Sequence, residues 1–354
     1  MSRREDLLSC WRRTGYKRGH WDFNLCPDLT KEFEKRYPGN GGDYGTYFGF
    51  TMKNIGPGKF KFVDHDAYRR YHTKLSPEGW TNDYGVGYER GSEKAKHMHR
   101  MICPMSGIDS LDRIKEYPFI DFADADYSRQ KAEADAIKKE DRVAVGYMAM
   151  TVWEASWYLR GMEDMMADMM TGDPIADYIF DKVTRNSMIN ARHYAEAGAD
   201  VLYIGDDIGM QKTAMMSHEL YRSYIKPRLI KIIDSAKKIK PDIIVVYHSC
   251  GYVLPFIDDL IEAGIDVLNP VQPECMSFEE VHERWGDRLS FLGTIGTQTT
   301  MPFGAPADVR REVEKNLSIA GDRGGLMCAP THMLEPEVPW ENIMAYMDAC
   351  GNFK

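Results

Sequence analysis

The segment I-I-V-V-Y-H-S-C-G-Y, residues 243–252, carries the strongest indication of the fold. Four β-branched residues followed by a tyrosine predict a strand buried on both faces, as in parallel sheets. Folds with such sheets place their chemistry where strands end, and this one ends in His248 and Cys250. Residues i and i+2 of a strand point to the same side, so both side chains can reach one zinc ion. A core thiol beside a hydrogen-bonded histidine is the alternative.

After residue 141 short apolar segments alternate with helical patterns. Besides 243–247, the predicted strands are Val143–Met148, 201–204, Val267–Asn269, 289–292 and 326–329. This alternation indicates βα units around a parallel sheet. Six strands here and one or two earlier predict a (β/α)8 TIM barrel. A doubly wound open sheet is the alternative, but no Gly-x-Gly-x-x-Gly follows an early strand.

The first 140 residues show no Pro-rich or Ser/Gly-rich boundary with the rest of the chain. We therefore predict a single domain over residues 1–354, in which 1–140 contribute N-terminal helices, a first strand and rim excursions. The alternating pattern of residues 20–25 predicts that strand. Residues 38–61 are rich in glycine with interspersed aromatic residues, and they are predicted to cross the barrel rim irregularly.

Composition excludes several classes of protein. A formal net charge of −9 and a pI near 5.6 argue against a nucleic-acid binder. The chain has no 18-residue apolar run, and its first 22 residues are too charged for a signal peptide, so we expect a cytoplasmic protein without membrane contact. Seven scattered cysteines do not resemble a disulfide framework.

Carboxylates follow two of the predicted strands. Asp206 and Asp207 come directly after one strand, and paired carboxylates can serve as acid and base or orient a ligand. One of the pair can instead cap the following loop. Trp153 and Glu154 follow residue 148 closely enough to line a pocket at the same barrel face, while core packing is the alternative for this aromatic cluster.

Further polar residues follow the later strands. Gln272 and Gln298 lie at strand ends, the latter on a glycine-flanked loop that can present backbone N–H groups to an anion. Cys328 and His332 follow the last strand, which a closed barrel brings beside the first one. Either residue can complete a three-ligand metal site with His248 and Cys250 and leave a position open for substrate.

A series of motifs resembles the uroporphyrinogen decarboxylase superfamily over nearly the whole chain. In order, they are G-D-D-I-G-M-Q (205–211), I-K-P-R-L (225–229), H-S-C-G (248–251), E-A-G-I-D-V-L-N-P-V-Q-P (262–273), L-G-T-I-G-T-Q (292–298), P-F-G-A-P (302–306), P-T-H (330–332) and V-P-W-E-N (338–342). The resemblance implies a (β/α)8 barrel with its site at the C-terminal face.

The decarboxylase branch of that superfamily grips a polycarboxylate with an N-terminal arginine pair and an aspartate, without a cofactor. The R-Q-A-G-R segment that supplies the pair is absent, and Arg12 and Arg13 do not replace it convincingly. Asp83 falls near the position of the aspartate and is a candidate substrate-binding residue, although N-D-Y-G lacks the flanking residues of the family.

The cobalamin-dependent methyltransferase branch resembles this sequence more closely. Its members act with a separate corrinoid protein and bind zinc through a His-x-Cys pair and a later cysteine. His248 and Cys250 match the pair, whereas His332 occupies the position of the later ligand and Cys328 lies four residues earlier. The resemblance implies that zinc holds a thiol substrate as thiolate or polarises the oxygen of a methyl ether.

Aromatic residues near the predicted mouth favour a methyl ether, an aryl ether in particular, over a small thiol. Those residues are Trp153, Tyr158, Tyr247 and Tyr252. We therefore expect a methyltransferase that moves a methyl group between a small methylated substrate and a corrinoid protein. Because no Asp-x-His-x-x-Gly motif occurs, cobalamin is expected on the partner. A homodimer is left open.

Two other hypotheses remain from the sequence. A metal-free decarboxylase of a polycarboxylate requires several cations at the barrel mouth, for which Arg160, Arg192 and Arg222 are the candidates. A barrel that only binds a small molecule or a protein partner predicts neither a metal nor a catalytic acid in the pocket.

Overall fold

Short β-branched and apolar segments form the strands, and amphipathic segments between them form the helices. The computed structural model describes residues 1–91 and 98–352. The strands are β1 Met52–Ile55, β2 Trp80–Thr81, β3 Gly87–Glu89, β4 Arg100–Ile102, β5 Val143–Met148, β6 Val201–Gly205, β7 Ile244–His248, β8 Val267–Asn269, β9 Ser290–Leu292 and β10 Leu326–Met327. The helices are α1 Arg3–Trp11, α2 Pro27–Arg36, α3 Tyr44–Tyr47, α4 His65–Arg69, α5 Leu111–Lys115, α6 Gln130–Lys139, α7 Trp153–Arg160, α8 Met162–Thr171, α9 Pro174–Glu196, α10 His218–Leu220, α11 Lys226–Lys237, α12 Ile257–Ala263, α13 Phe278–Trp285, α14 Thr300–Phe303, α15 Pro306–Ala320 and α16 Trp340–Asn352.

Within the described residues, seven strands pair in parallel in the order β1-β5-β6-β7-β8-β9-β10. Helices cover the outside of this curled sheet, which confirms the predicted α/β barrel with N-terminal additions. A separate antiparallel sheet, β2-β3-β4, lies in the chain between β1 and β5. We call residues 80–122, which contain this sheet, the insertion.

The N-terminal additions contact the segment that follows β10. Leu25 pairs in parallel with Leu334, and the backbone N–H groups of Cys26 and Leu334 donate to Leu334 and Asn24. The Tyr346 hydroxyl on α16 donates to the carbonyl of Asp22 at 3.1 Å. A segment that precedes β1 in sequence thus lies beside the end of the last strand.

The alternation of side chains separates an inner from an outer face. Inner residues such as Val145, Val246 and Val267 form one cluster, which α1 closes from below with Leu7 and Trp11. Outward residues pack against the surrounding helices in a second, larger cluster. Because both faces of the central strands β5 to β7 are buried, these strands are largely apolar and do not alternate in polarity.

Two helix-to-strand connections share a sequence motif and a glycine conformation. The E-A-G-x-D-V-L motif occurs before β6 and β8, and its glycines, Gly198 and Gly264, have φ of +83° and +100°. A glycine in this left-handed conformation ends a helix at little cost and redirects the chain. Each strand begins three residues later, as the repeated motif predicts.

The first strand was wrongly predicted. Residues 20–25 form no strand beyond the single bridge at Leu25, and β1 lies within the segment 38–61 that was expected to be irregular. The sequence of β1 is M-K-N-I, in which Met52 and Asn54 line the barrel interior and Lys53 forms an ion pair with Glu140. Such a strand carries little hydrophobic signal.

None of the helices in residues 1–91 and 98–352 combines the length and apolar character that crossing a membrane requires.

We predict that Leu7→Ala lowers the free energy of unfolding by about 2–5 kcal/mol, because its fully buried side chain closes the base of the barrel and leaves a cavity when truncated. Urea unfolding followed by circular dichroism measures the change. Arg12→Ala, at an exposed position just after the same helix, is the control, with an expected change within about 0.5 kcal/mol. Equal losses in the two variants would contradict this role of α1.

Candidate active site

The loops after β6 and β7 touch backbone to backbone above the sheet. A Cβ atom on Gly209 would lie 2.7 Å from the Cys250 carbonyl oxygen, and one on Gly251, whose φ is +85°, would lie 2.7 Å from Gly209. The Tyr252 N–H donates to the Met210 carbonyl at 2.8 Å. This approach requires glycine in both loops and brings the G-D-D-I-G and H-S-C-G motifs together.

Asp207, His248 and Cys250 form a group whose potential ligand atoms all lie within 4.8 Å of one another. The Nε2 atom of His248 is 3.6 Å from both the Cys250 sulfur and Oδ1 of Asp207. Two ligands on a tetrahedral zinc ion lie roughly 3.3–3.8 Å apart, given bonds of about 2.0–2.3 Å. Carboxylate, imidazole and thiol are ligands that zinc accepts, so the residues present fit this metal.

Asn269 at the end of β8 orients the imidazole. Its Nδ2 donates to the Leu292 carbonyl at 2.7 Å, which leaves Oδ1 to accept from Nδ1 of His248 at 2.7 Å. Since Nδ1 then carries the proton, the lone pair of His248 lies on Nε2, which faces Asp207 and Cys250. The Tyr203 hydroxyl also donates to Oδ1 of Asn269, at 2.5 Å.

Carboxylates and burial both disfavour a free thiolate at Cys250. Burial, together with nearby Asp207 and Glu154, raises the pKa of the Cys250 thiol to about 12. The main-chain N–H of Cys250 donates to Oδ1 of Asp207 at 2.8 Å, which fixes the carboxylate next to the sulfur. A bound cation would oppose both effects, because it is attracted to the thiolate and to the carboxylate.

The group opens onto the barrel interior. We call this space of about 710 Å³ the barrel cavity; its walls include Tyr147, Tyr203, His248, Asn269 and His332. Tyr147 and Tyr203 face each other with ring centroids 5.0 Å apart, and Tyr203 lies 6.2 Å from the imidazole in a stacked arrangement. Inner positions of three neighbouring strands thus present a row of rings beside the candidate ligands.

Asp206, for which a catalytic role was predicted, contacts the backbone at the start of α7. The carboxylate is fully buried and accepts hydrogen bonds from the backbone N–H groups of Thr151, Val152 and Glu154 and from the Thr151 hydroxyl. Burial raises the pKa of Asp206 to about 6, and the hydrogen bonds oppose this shift. The residue therefore holds the N-terminus of α7 instead of reaching the cavity.

Glu154 lies in the first turn of α7, next to the metal group. Its Oε2 accepts from the Asp207 N–H at 3.1 Å, and its Oε1 accepts from the Tyr158 hydroxyl at 3.0 Å. Burial, followed by repulsion from Asp206 and Asp207, raises the pKa of Glu154 to about 8. A carboxyl group in this setting can hold a proton at neutral pH.

The two residues that follow the last strand occupy different environments. His332 lines the barrel cavity with His248 and also the loop cavity, a space of about 340 Å³ above the group that contains Cys250, Gln272 and Gln298. Burial, and then His248, lower the pKa of His332. Cys328 is buried, with its sulfur 3.5 Å from the Thr294 hydroxyl, and it does not belong to the metal group.

The two predicted glutamines, Gln272 and Gln298, both line the loop cavity. Oε1 of Gln272 accepts from the Gly251 N–H at 3.0 Å, and the side-chain amides of Gln298 and Gln211 exchange hydrogen bonds of 3.3 and 3.2 Å. They border the candidate site as the strand-end argument predicts.

Three residues predicted to contact substrate lie outside the linings of the barrel cavity and the loop cavity. Trp153 is fully buried and its indole N–H donates to the Met215 sulfur. Tyr247 is also fully buried, because it occupies an outward position of β7 next to inward His248. Asp83 lies at an exposed turn of the insertion, where its carboxylate approaches His65 at 3.8 Å.

Residues that the sequence reasoning missed are Tyr147, Tyr203 and Asn269. Each occupies an inward position at or near the end of a strand, next to a residue that faces outward. The sequence signal that could have found them is the alternation of side chains along β5, β6 and β8. Once His248 is taken to point inward, this period of two identifies which residues of the neighbouring strands point inward as well.

We predict that Asp206→Ala lowers the free energy of unfolding by about 2–4 kcal/mol, because three buried N–H groups lose their acceptor. Asp207→Ala is the matched control, since the neighbouring carboxylate is partly exposed and accepts a backbone hydrogen bond from Cys250 in place of the three that Asp206 accepts. Urea unfolding compares the two variants. Similar stabilities for both would disagree with a structural role for Asp206.

Comparison with known proteins agrees with this architecture. The chain is similar in structure to a methyltransferase from Methanosarcina mazei, with a TM-score of 0.67 and 18% identity over 99% of this chain and 98% of that one. Curated uroporphyrinogen decarboxylases from Thermus thermophilus and Syntrophotalea carbinolica are 29% and 26% identical over 169 and 170 residues, or 47% and 48% of this chain. The matched region spans about half the length of these relatives, 45% and 46%.

The profile of the uroporphyrinogen decarboxylase (URO-D) family matches residues 83–353, a region that contains Asp207, His248, Cys250, Asn269 and His332. The chain therefore belongs to the uroporphyrinogen decarboxylase (URO-D) family.

Proposed function

We propose that this chain is a zinc-assisted methyltransferase that moves a methyl group between a small methylated substrate, preferably a methyl ether, and a corrinoid carried by a partner protein. The observation that carries the proposal is the spacing of Asp207, His248 and Cys250, with two ligand-atom separations of 3.6 Å. The structurally similar protein from Methanosarcina mazei is a methyltransferase, which supports the same activity within this fold.

The proposed mechanism assigns separate tasks to the chain's residues. Asp207, His248 and Cys250 would hold the zinc ion, and Asn269 keeps Nε2 of His248 available. When bound, zinc supplies Lewis acidity toward the ether oxygen. In the proposed reaction the methyl–oxygen bond would break with its electron pair left on the oxygen, and the corrinoid of the partner would serve as the methyl acceptor.

The leaving oxygen then needs a proton. We assign this task to Glu154, because burial raises the pKa of its carboxyl group to about 8 and its Oε2 accepts from the Asp207 N–H. Tyr158 positions this carboxyl group through its hydroxyl. Tyr147 and Tyr203 supply the apolar wall that restricts water beside the reacting group.

The alternative, a metal-free decarboxylase of a polycarboxylate, has less support from the charges of the structure. Such an enzyme needs free cations at the mouth. Arg160 is buried and bonds to Asp168, and Arg222 bonds to Asp259, so these two candidates are already paired with carboxylates.

We predict about one zinc ion per chain in protein purified without chelator, and its loss in Cys250→Ala. Asn269→Leu keeps all three ligands and is expected to weaken zinc binding about 10–100-fold, because the imidazole loses its orienting acceptor. Elemental analysis and competition with a chromogenic chelator measure both effects.

Cys103→Ala is the control for this metal experiment, since Cys103 lies against Trp157 and outside the metal group. Full zinc content is expected in that variant. Absence of metal from the unmodified protein, or unchanged zinc in Cys250→Ala, would rule out the proposed zinc site.

A pair of substitutions tests whether His332 or Cys328, the two candidates after the last strand, contributes to zinc binding. We predict that His332→Ala weakens zinc binding while Cys328→Ala leaves it unchanged, because His332 lines the cavities of the group and Cys328 packs against Thr294. The zinc dissociation constant measured by chelator competition decides between them. A loss confined to Cys328→Ala would reverse the assignment.

A further inference from the structure

A second cavity lies on the outer side of the barrel wall. It occupies about 340 Å³ between β1 and β5, helix α9 and the insertion, and we call it the outer cavity. Ile55 and Met148 line it from the sheet, Val183 from α9 and Tyr84 from the insertion. The volume falls within the range of small-molecule sites, about 300–1,000 Å³.

Most of the wall of the outer cavity is apolar. Six aromatic side chains line the space: Tyr84, Phe119, Phe122, Tyr147, Tyr158 and Tyr194. The rings of Tyr84 and Phe122 pack against each other with their centroids 5.6 Å apart. Aromatic side chains pack against a flat ring in edge-on or offset arrangements. These walls therefore match an occupant whose body is apolar and contains a ring.

A single cation interrupts this apolar wall. Among the described residues that line the outer cavity, Lys182 on α9 is the only one with a charged side chain. Its ammonium nitrogen lies 5.9 Å from the ring centroid of Phe119, which also lines the cavity, and 5.4 Å from that of Tyr178. Both rings attract the ammonium group and hold it beside the cavity.

The ammonium group of Lys182 is not paired with a carboxylate. Asp121, whose charge acts on it from nearby, forms its ion pair with Arg185 at 2.7 Å. In the part of the chain that the structure describes, no carboxylate oxygen lies within 4.0 Å of the Lys182 ammonium nitrogen. Its three N–H donors are therefore available to an anion.

Amide oxygens in the same wall are already occupied by the protein. Oδ1 of Asn186 accepts from the Phe122 N–H, and Oδ1 of Asn190 accepts from the Tyr127 hydroxyl at 2.8 Å. The wall thus uses these acceptors internally and leaves the donors of Lys182 unpaired. An occupant that supplies one negatively charged acceptor complements this distribution.

From these observations we infer that the outer cavity binds a small monocarboxylate with an apolar body that contains a ring. Lys182 binds the carboxylate, and the aromatic walls enclose the ring. A second charge on the ligand would lie against apolar walls without a partner, which selects a monoanion. The site is separate from the candidate metal group, because Asp207, His248 and Cys250 do not line it, and it goes beyond the proposed function.

Calorimetric titration of the zinc-supplied full-length chain with 3-phenylpropanoate tests the inference. We expect Lys182→Met to weaken binding of this probe about tenfold, because the carboxylate loses its charged partner. Lys231→Met is the matched control, since Lys231 is an exposed lysine of α11 outside the cavity, and it should retain the affinity. The uncharged 3-phenylpropanamide should bind the unmodified chain and Lys182→Met equally.

Val183→Phe tests the apolar part of the same site. The larger side chain fills the cavity from α9, and we expect it to weaken binding of both probes at least about tenfold. Ile189→Phe is its matched control, because Ile189 is a buried residue of the same helix that does not line the cavity. Thermal unfolding verifies that the variants are folded, and the exposed Lys182 supplies the test if Val183→Phe does not fold.

Cys250→Ala distinguishes the outer cavity from the metal group, because a carboxylate can also bind zinc. We expect this variant to bind 3-phenylpropanoate like the unmodified chain. Affinity that is lost in Cys250→Ala but retained in Lys182→Met would place the probe at the zinc ion and overturn the inference. No binding by the unmodified chain, or equal affinity of the unmodified chain and Lys182→Met for the carboxylate, would overturn it as well.

The same titration separates this inference from the proposed function. Binding that depends on Lys182 in protein that contains no zinc supports the carboxylate site and contradicts the zinc-assisted reaction. Zinc bound through Cys250 without any binding of 3-phenylpropanoate supports the metal group and contradicts the carboxylate site.

Discussion

The buried carboxylate of Asp206 determines how the end of β6 meets the start of α7. It has no access to solvent and accepts hydrogen bonds from the backbone N–H groups of Thr151, Val152 and Glu154 at the start of α7. These bonds hold the two segments in one arrangement. Helix α7 carries Glu154 toward Asp207 and places the Tyr158 hydroxyl where it donates to Glu154. One structural carboxylate thereby positions a second carboxyl group next to the candidate metal ligands.

The candidate site depends equally on which face of the sheet a residue occupies. His248 and Tyr247 are adjacent in sequence. His248 lines the barrel cavity, whereas the side chain of Tyr247 points to the opposite face of the sheet and is fully buried. Asn269 reaches His248 because β7 and β8 pair with these two residues in register. Parallel pairing therefore brings the imidazole, its orienting amide and the Tyr203 hydroxyl together without any of them being close in sequence.

The electrostatics of the site also follow from its enclosure. Glu154, Asp207 and the Cys250 thiol lie close together in a poorly solvated space, where each negative charge disfavours the next. A proton on Glu154 and a cation between Asp207, His248 and Cys250 would relieve this repulsion. The same enclosure supports the proposal that this group binds zinc.

The amino-acid sequence by itself determined the parallel strands after residue 140 and the placement of His248, Cys250 and Asp207 at strand ends, because apolar runs, glycine stops and a period of two are local properties. It could not identify β1, whose polar residues face a cavity, nor separate Asp206 from Asp207. Only the tertiary structure showed that Asp206 bonds to the start of α7 and that Trp153 and Tyr247 are buried outside the cavities. It also showed that Asn269 and Tyr203 lie beside His248. Those outcomes depend on strand register and helix packing, which join residues that are distant in sequence.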